Sequence, residues 1–463
     1  MLIMKILVCI RQGLDGEINP FDACAYEAAL SVDGAEVTII SMGPESAKDF
    51  LLSLTRLGAK EAILLSDKAF AGADTIATAY TLSKAVEKLK PDLIFCGRQT
   101  LVGDTAQTGP MLSVYANYSL ITNVMSVESI TDKIVCTTRN EGTAQANLPA
   151  LITVERINTL RLPRLRSKPT SVTVWGVTEI DAEPERCGLA GSPTRVLKTF
   201  ENESGKRRCK FISVSELKDA IEEGLQKNKE KVGSSSVCEK KLNNVCIVGE
   251  APRSFAETIS EDITVLPLST ADEIAELIQK ENPSAVLWGS DSKSKRLSSL
   301  VAAKLNLGLC ADCTLLETDS EELLMYRPAL SGSIIAKIKS LTKPAMATVR
   351  TADSGVKDII VGIGYGAKDS YEKVKAFAES LGADVAATRK LVDNGIAPYE
   401  NQVGLTGKTV SPPVYIAVGI SGAVHHIVGM ERAGTVIAIN PDKNAPIFDY
   451  ADFGILCNAE SLE

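Results

Sequence analysis

The sequence predicts an α/β protein with two related α/β domains in tandem and a third α/β unit behind them. Three observations predict it. In the first two hundred residues, short apolar β-branched runs alternate with helical patterns, as a mainly parallel sheet with helices on both faces requires. The same succession of helix, strand, helix and strand recurs after residue 243. A fresh apolar strand, KDIIVGIGYG (357–366), then opens a last segment that runs to residue 463.

In chain order, KILVCI (5–10), AEVTIIS (35–41), EAILLS (61–66) and DLIFCG (92–97) read as strands, with helices near 45–57, 75–89 and 107–117 between them. KIVCTT (133–138) reads as a hairpin strand before LPALITVE (148–155). Between 200 and 240 the composition shifts. ELKDAIEEGLQKNKEKV reads as a charged surface helix, and GSSS (233–236) as a flexible linker. NNVCIVGE starts a new unit at 243, in which ADEIAELIQKENP, SAVLWGS, SKRLSSLVAAKLN and KPAMATVR repeat TLSKAVEKLKP, DLIFCGR, the helix after GDTAQTGP and LPALITVE. The predicted boundaries are 1–199, a helical arm and linker over 200–242, 243–350 and 351–463.

Composition removes several function classes. Hydrophobic residues make up 45% and charged residues 23% of the chain, which is globular chemistry. No apolar run reaches the ~18–20 residues of a membrane span. MLIMKILVCI carries Lys5, leads into Arg11 and lacks a small-residue cleavage site, so it reads as a buried strand rather than a secretion signal. A net charge of -8 disfavours nucleic acid and anionic membrane surfaces as partners. Eleven scattered cysteines suit free thiols in a cytoplasmic protein. The two histidines, His425 and His426, are adjacent, which removes most zinc sites and most Ser-His-Asp triads.

Five motifs carry candidate chemistry. GDTAQTG (103–109) opens a helix after a strand. Its small residues and hydroxyls let backbone N–H groups approach a phosphate, or else Asp104 or Thr105 simply caps the helix. The repeat has SDSKSKRL at this turn, so the fold itself does not demand the small residues. GISGAVHH (419–426) meets a helix start in the same way, close to the Gly/Thr-rich loop QVGLTGK (402–408). It matches neither G-x-G-x-x-G nor G-x-S-x-G, and a hydrolase built on Ser421 lacks a placed acid–base partner. GIGYGAK (362–368) is a tight turn without the Walker A ending. Cys310 and Cys313 form a C-x-x-C with no second pair at metal spacing, which reads as structural. RLPRLRSKP (161–169) is either a solvated loop or a docking loop with Leu162 and Leu165 as anchors in a basic rim.

Together these pieces resemble the electron-transfer flavoproteins. NPFDACAYEAAL, VTIISMGPESA, DLIFCGRQTLVGDTAQTGP and GLAGSPTRVLKTF are similar to the beta subunit. TRKLVDNG, QVGLTGKTVSPPVYIAVGISGAVHHIVGM and VIAINPDKNAPIFDYADFG are similar to the alpha subunit. The resemblance implies the two subunits fused, beta first: two pseudo-symmetric adenine-nucleotide-binding α/β domains and a flavodoxin-like FAD-binding domain at the C-terminus. It implies FAD against Thr388, Arg389, Val403, Gly404, Leu405, Thr406, Ser421, Gly422, Ala423, Val424, His425, His426, Asn440 and Asn458. Arg389, Thr406 and His426 would tune the flavin, with Arg389 and His426 suited to serve as a cation or hydrogen-bond donor beside its N1–O2 edge. In the first domain it implies either AMP or a second FAD against Ile10, Asn19, Met42, Asp104, Thr105, Ala106, Gln107, Thr108 and Gly109. The implied partner is a flavin dehydrogenase of the acyl-CoA dehydrogenase type, docked on Leu162 and Leu165. A second FAD would add NADH as donor, with ferredoxin or flavodoxin among the acceptors and electrons bifurcated between two of them.

The chain departs from the family pattern in several places. Tyr365 replaces an arginine, His425 a glutamine and Asn458 an aspartate, and the stretch between Gln12 and Asn19 is short. GLAGSPTRV favours two FADs and the short stretch favours AMP. The other readings are an NADH-oxidising enzyme in its own right and a nucleotide-binding module of the universal-stress type without redox work.

Overall fold

A computed structural model describes residues 3–13, 15–139, 141–155, 159–201, 207–231, 242–319, 322–330, 334–350, 357–404, 407–408, 410–431 and 433–462. The chain divides into two compact units. The first comprises 1–199, 238–330 and 335–350, and the second 200–237, 331–334 and 351–463.

In the first unit, β1 (Lys5–Cys9), β2 (Glu36–Met42), β3 (Glu61–Leu65), β4 (Leu93–Gly97), β5 (Ser119–Ile130), β6 (Lys133–Thr138), β7 (Gly142–Asn147), β8 (Ala150–Val154) and β9 (Val172–Trp175) form one sheet. Its order is β7-β6-β5-β8-β4-β1-β2-β3-β9, parallel from β5 to β9 and antiparallel at the β5-β6-β7 end. The strands are near-continuous apolar runs because helices cover both faces. A second, wholly parallel sheet runs Leu309–Cys313, Ala345–Val349, Ala285–Trp288, Val245–Val248, Ile263–Leu266. That order reproduces β5-β8-β4-β1-β2 strand for strand, so the internal repeat seen in the sequence is a repeat of topology.

The helix ends repeat too. Thr108–Ala116 and Ser292–Leu305 both stop at an asparagine in the left-handed region, Asn117 (φ 56°) and Asn306 (φ 54°). These two helices pack on each other, and a single apolar cluster joins the copies: Met111, Leu112 and Leu151 from the first with Trp288, Leu297, Val301 and Met346 from the second.

In the second unit a six-stranded parallel sheet runs Lys210–Phe211, Phe453–Ile455, Thr435–Ile439, Val414–Val418, Ile359–Ile363, Asp384–Ala387. This corrects the expectation of an arm leading into a linker. The segment 207–231 is an integral layer of the second unit. Lys210–Phe211 is its edge strand, and Leu217–Lys231 lays Leu217, Ala220 and Ile221 onto Val414, Ile437 and Phe453. The helix can come this close because residue 224 is glycine: a Cβ there would stand 2.9 Å from side-chain carbons of both Thr435 and Val414. Arg207 fixes the start of the layer, with its guanidinium donating to the Asp452 carboxylate and to the carbonyls of Glu431, Ala433 and Gly434. The predicted GSSS linker lies outside the described residues.

Candidate nucleotide and flavin sites

In an open parallel sheet, a crevice forms at the carboxyl edge where two neighbouring strands send their connections in opposite directions. In the first sheet that point lies between β1 and β4. The chain leaving β1 makes a tight hairpin through a Gln12–Ile18 bridge and returns at Asn19. Asn19 is buried. Its side-chain amide donates to the Gln99 carbonyl at 2.9 Å and its oxygen accepts from Leu101 N at 3.4 Å, so it braces the loop after β4 rather than facing outward. Beneath it lies Asp22, whose carboxylate accepts from Arg11 N at 2.8 Å. Burial pushes its pKa up to about 7 against the pull of that bond and of bonds from Asn19 and Gly97. Ile10, buried, follows β1, and Met42 ends β2, both at the same carboxyl edge of the sheet.

The loop after β4 holds the anion-binding geometry. Asp104 (φ 50°) and Ala106 (φ 56°) are left-handed, and Gln107 (φ -98°, ψ -33°) is right-handed. A left-handed residue followed by a right-handed one turns successive N–H groups to one side, forming a nest. Among the described residues, nothing accepts from the backbone N–H groups of Thr105, Ala106, Gln107, Thr108 or Gly109. The capping alternative is corrected: neither Asp104 nor Thr105 caps the helix, whose cap position is Gln107 and carries no side-chain cap. The Gln107 side chain is also spent internally, accepting from Thr75 Oγ1 at 2.8 Å and donating to the Leu309 carbonyl at 3.4 Å. In the second copy the equivalent helix is closed by its own residue, Asp291, which accepts from Lys293 N and Ser294 N at 3.0 Å each.

In the second unit the corresponding point lies between Ile359–Ile363 and Val414–Val418. Gly364–Gly366 leaves the first strand and Gly419–Ala423 the second, and the two loops touch through Gly366 N donating to the Gly419 carbonyl at 3.0 Å. Gly422 has φ 92° and a Cβ there would meet Ile447 N at 2.2 Å, so only glycine fits. The N–H groups of Ser421, Gly422 and Ala423 have no acceptor among the described residues. At the neighbouring strand end, Thr388 Oγ1 is buried with no partner. Arg389 is half exposed and held at 3.1 Å from Asp393. Glycine-lined backbone, open amides, an orphaned hydroxyl and a fixed cation at one sheet edge fit a flavin nucleotide. Of the remaining expected residues, Val403 and Gly404 adjoin this edge. Val403 N donates to the Ala387 carbonyl at 3.0 Å and Gly404 N to the Lys408 carbonyl at 3.1 Å. Asn458 is exposed after the last strand. Leu405 and Thr406 lie outside the described residues, as do the side chains of Val424 and His425.

Asn440 is buried, with its Nδ2 donating to the Ile420 carbonyl at 3.0 Å and its Oδ1 accepting from Asp442 N at 2.9 Å, which leaves its second N–H available. One expected contact is corrected. His426 offers neither a cation nor a free ring donor. Its ring is buried, with Nδ1 3.1 Å from the Val403 carbonyl and Nε2 3.0 Å from the Tyr415 hydroxyl. A carbonyl only accepts, so Nδ1 carries the proton and Nε2 accepts from Tyr415. Burial pushes its pKa down to about 4, and the bond to Val403 only partly offsets this. A neutral His426 therefore positions the loop at Val403. Tyr415 went unrecognised in the sequence, although strand residue Gly362 was its signal, since a Cβ there would lie 1.9 Å from the Tyr415 hydroxyl. Lys390 and Lys368 were also missed. They stand 4.0 and 5.2 Å from the ring of Tyr365, so cations remain beside the position where the family has arginine.

The docking candidates are presented by a clamped loop. Arg161 grips the Glu27 carboxylate through Nε and Nη2 at 2.7–3.0 Å, and the carbonyl of Ser167 accepts from Arg56 Nε at 3.2 Å. Burial raises the Glu27 pKa, but Arg161 overcomes it and holds the carboxyl below its usual range. Between the clamps Leu162 is 87% and Leu165 101% exposed. Cys310 and Cys313 are both buried in a strand, and no metal-ligand cluster occurs among the described residues.

The electron transfer flavoprotein domain matches residues 6–180 and 260–360, and the electron transfer flavoprotein FAD-binding domain matches 355–431. Over 225 residues the chain is 36% identical to an electron transfer flavoprotein subunit beta of Thermoanaerobacterium thermosaccharolyticum, covering 46% of this chain and 86% of that subunit. It is 38% identical over 232 residues to the subunit alpha of the same organism, covering 40% of this chain and 70% of that subunit. A FixA protein of Azorhizobium caulinodans is 37% identical over 231 residues, covering 46% of this chain and 82% of the relative. The chain belongs to the electron transfer flavoprotein family, with beta-like and alpha-like parts fused in one polypeptide, beta first. Its role is electron transfer with FAD as cofactor. No helix among the described residues is long and apolar enough to cross a membrane.

A neutral buried His426 makes the second unit acid-sensitive in a defined window. The unfolded histidine takes a proton near pH 6.5 and the native one only near pH 4, so its contribution to stability falls as pH drops between these values, by up to about 3 kcal/mol. Burial of Asp22 works in the opposite direction over the same range, so the His426 slope is read from urea unfolding at stepped pH as the difference between the wild type and a His426 variant. His426→Gln, which does not titrate, should lose it; an identical slope in the variant would contradict the assignment.

Proposed function

We propose that the chain carries electrons to or from a flavin dehydrogenase of the acyl-CoA dehydrogenase type, using FAD at the carboxyl edge of the second unit's sheet. A second adenine nucleotide, AMP or FAD, would rest on the open amides at 105–109. The observation that carries the reading is a coincidence at one edge. The segment matching the FAD-binding domain supplies the orphaned Thr388 hydroxyl, the open amides of Ser421–Ala423 and the fixed cation of Arg389.

When bound, FAD supplies one- and two-electron chemistry. The protein's part is binding and electrostatics. The open amides would hold phosphate oxygens, and Thr388 and Arg389 would lie beside the ring. The charge of Arg389 favours the electron-rich form of a bound flavin. Leu162 and Leu165, exposed between two clamps, offer apolar anchors inside a basic rim, which suits a pocket on a partner protein.

Acid release and quantification of FAD and AMP from purified protein tests the cofactor assignment. One FAD with one AMP per chain supports a carrier between dehydrogenases. Two FADs would make NADH-driven bifurcation, with ferredoxin or flavodoxin among the acceptors, the leading mechanism, while a colourless protein that takes up no FAD would sink both. Arg389→Ala, loaded with flavin, should have a midpoint potential lower by tens of millivolts in spectroelectrochemical titration, and an unchanged potential removes its role. Leu162→Ala should slow electron transfer with the partner dehydrogenase roughly tenfold while leaving the visible spectrum intact. Wild-type rates would remove the docking role.

A further inference from the structure

The loop that carries the open amides is shaped by the other copy of the repeat. Arg327, on the strand Glu322–Ala329, is buried, and its Nη2 donates to the carbonyls of Gly103 at 2.8 Å and Asp104 at 3.3 Å. A trans peptide is planar, so a carbonyl held on one side turns the N–H of the next residue to the other. With the Asp104 carbonyl on Arg327, the Thr105 N–H, first of the open row, points away from the second copy. Leu330 N extends the grip to the Val102 carbonyl at 3.4 Å.

Arg327 sits in a charged cluster with Asp312, also buried, and the partly buried Lys295, Arg350 and Asp104. Asp312 lies 2.8 Å from Lys295 Nζ and 3.9 Å from Arg350 Nη2. It occupies a left-handed position (φ 54°) with its N–H on Thr348 Oγ1 at 2.8 Å. The first copy repeats this backbone device as Asn123 (φ 58°), its N–H on Thr153 Oγ1 at 3.1 Å, but carries no charge there. Three cations thus face two carboxylates immediately behind a loop whose free N–H groups suit an anion, and Arg327 Nε is left without a partner.

We propose that Arg327 is a positioning residue for the nucleotide site of the first copy: it orients the 103–105 peptides for a nucleotide phosphate, so that the beta-like part binds its nucleotide only when the alpha-like part is in place. This rests on the reading that the open amides take an adenine nucleotide. Arg327 touches no phosphate itself and acts through the backbone.

The test uses the full FAD-loaded chain and AMP, the moiety common to both nucleotides under consideration, titrated calorimetrically into protein freed of the first-copy nucleotide. Arg327→Ala should bind AMP roughly tenfold to a hundredfold more weakly. Its visible flavin spectrum should stay at the wild-type one, while its melting temperature without AMP falls because a buried cation is lost from beside two carboxylates, and Arg327→Lys should restore most of that fall. Arg327→Lys, which keeps a charged donor, should recover most of the affinity. Wild-type affinity in the alanine variant overturns the proposal. So does a parallel loss of AMP binding, flavin spectrum and melting temperature that lysine does not restore, because that outcome is a folding defect. If the wild type binds no AMP and releases no second nucleotide, the nucleotide reading itself fails, and this proposal with it.

Discussion

The first unit depends on one packing contact, that of the helix Thr108–Ala116 against Ser292–Leu305. The cluster around it is a single hydrophobic core shared by two copies of one fold, and several of its members are wholly buried. At about 1.5–3 kcal/mol for each fully buried large apolar side chain, neither copy could leave that face in water. The same contact sets the nucleotide loop, because its helix is the one that follows the loop. A surface required for stability thereby places the second copy's side chains behind the first copy's site.

The two copies show how a repeat diverges in function without diverging in topology. Strand order, left-handed helix ends and the threonine-backed turns at Asn123 and Asp312 are common to both. What differs is how each helix start is satisfied. Asp291 closes its own helix with a carboxylate, whereas the loop before Thr108 offers no side chain and leaves its amides for a ligand. A helix start needs some acceptor, and the choice between a built-in carboxylate and an external anion separates a structural copy from a binding copy.

Much of this was legible in the sequence. The alternation of apolar runs and helical patterns gave the parallel sheets, and GDTAQTG against SDSKSKRL marked which copy was open. The layer at 207–231 was misread for a physical reason. Its stripe is Leu217, Ala220, Ile221 and Gly224, at helical spacing, but two of the four are small and most of the rest of the helix is charged, so it looked solvated. His426 was misread because small residues beside a histidine do not reveal which way the ring turns. The answer lies in Tyr415, eleven residues earlier, and in the glycine that makes room for its hydroxyl. Arg327 was invisible because its partners are backbone carbonyls more than two hundred residues away.

The layer at 207–231 also has a meaning in time. Its partners, Val414, Thr435, Ile437 and Phe453, are translated long after it. At ~5–20 residues per second, roughly 10–45 seconds separate its emergence from that of the sheet edge it completes. Through that interval the apolar stripe of an already synthesised helix has no native surface to cover. The dense charge on its other faces then acts as a solubiliser for a segment waiting for the end of its own chain.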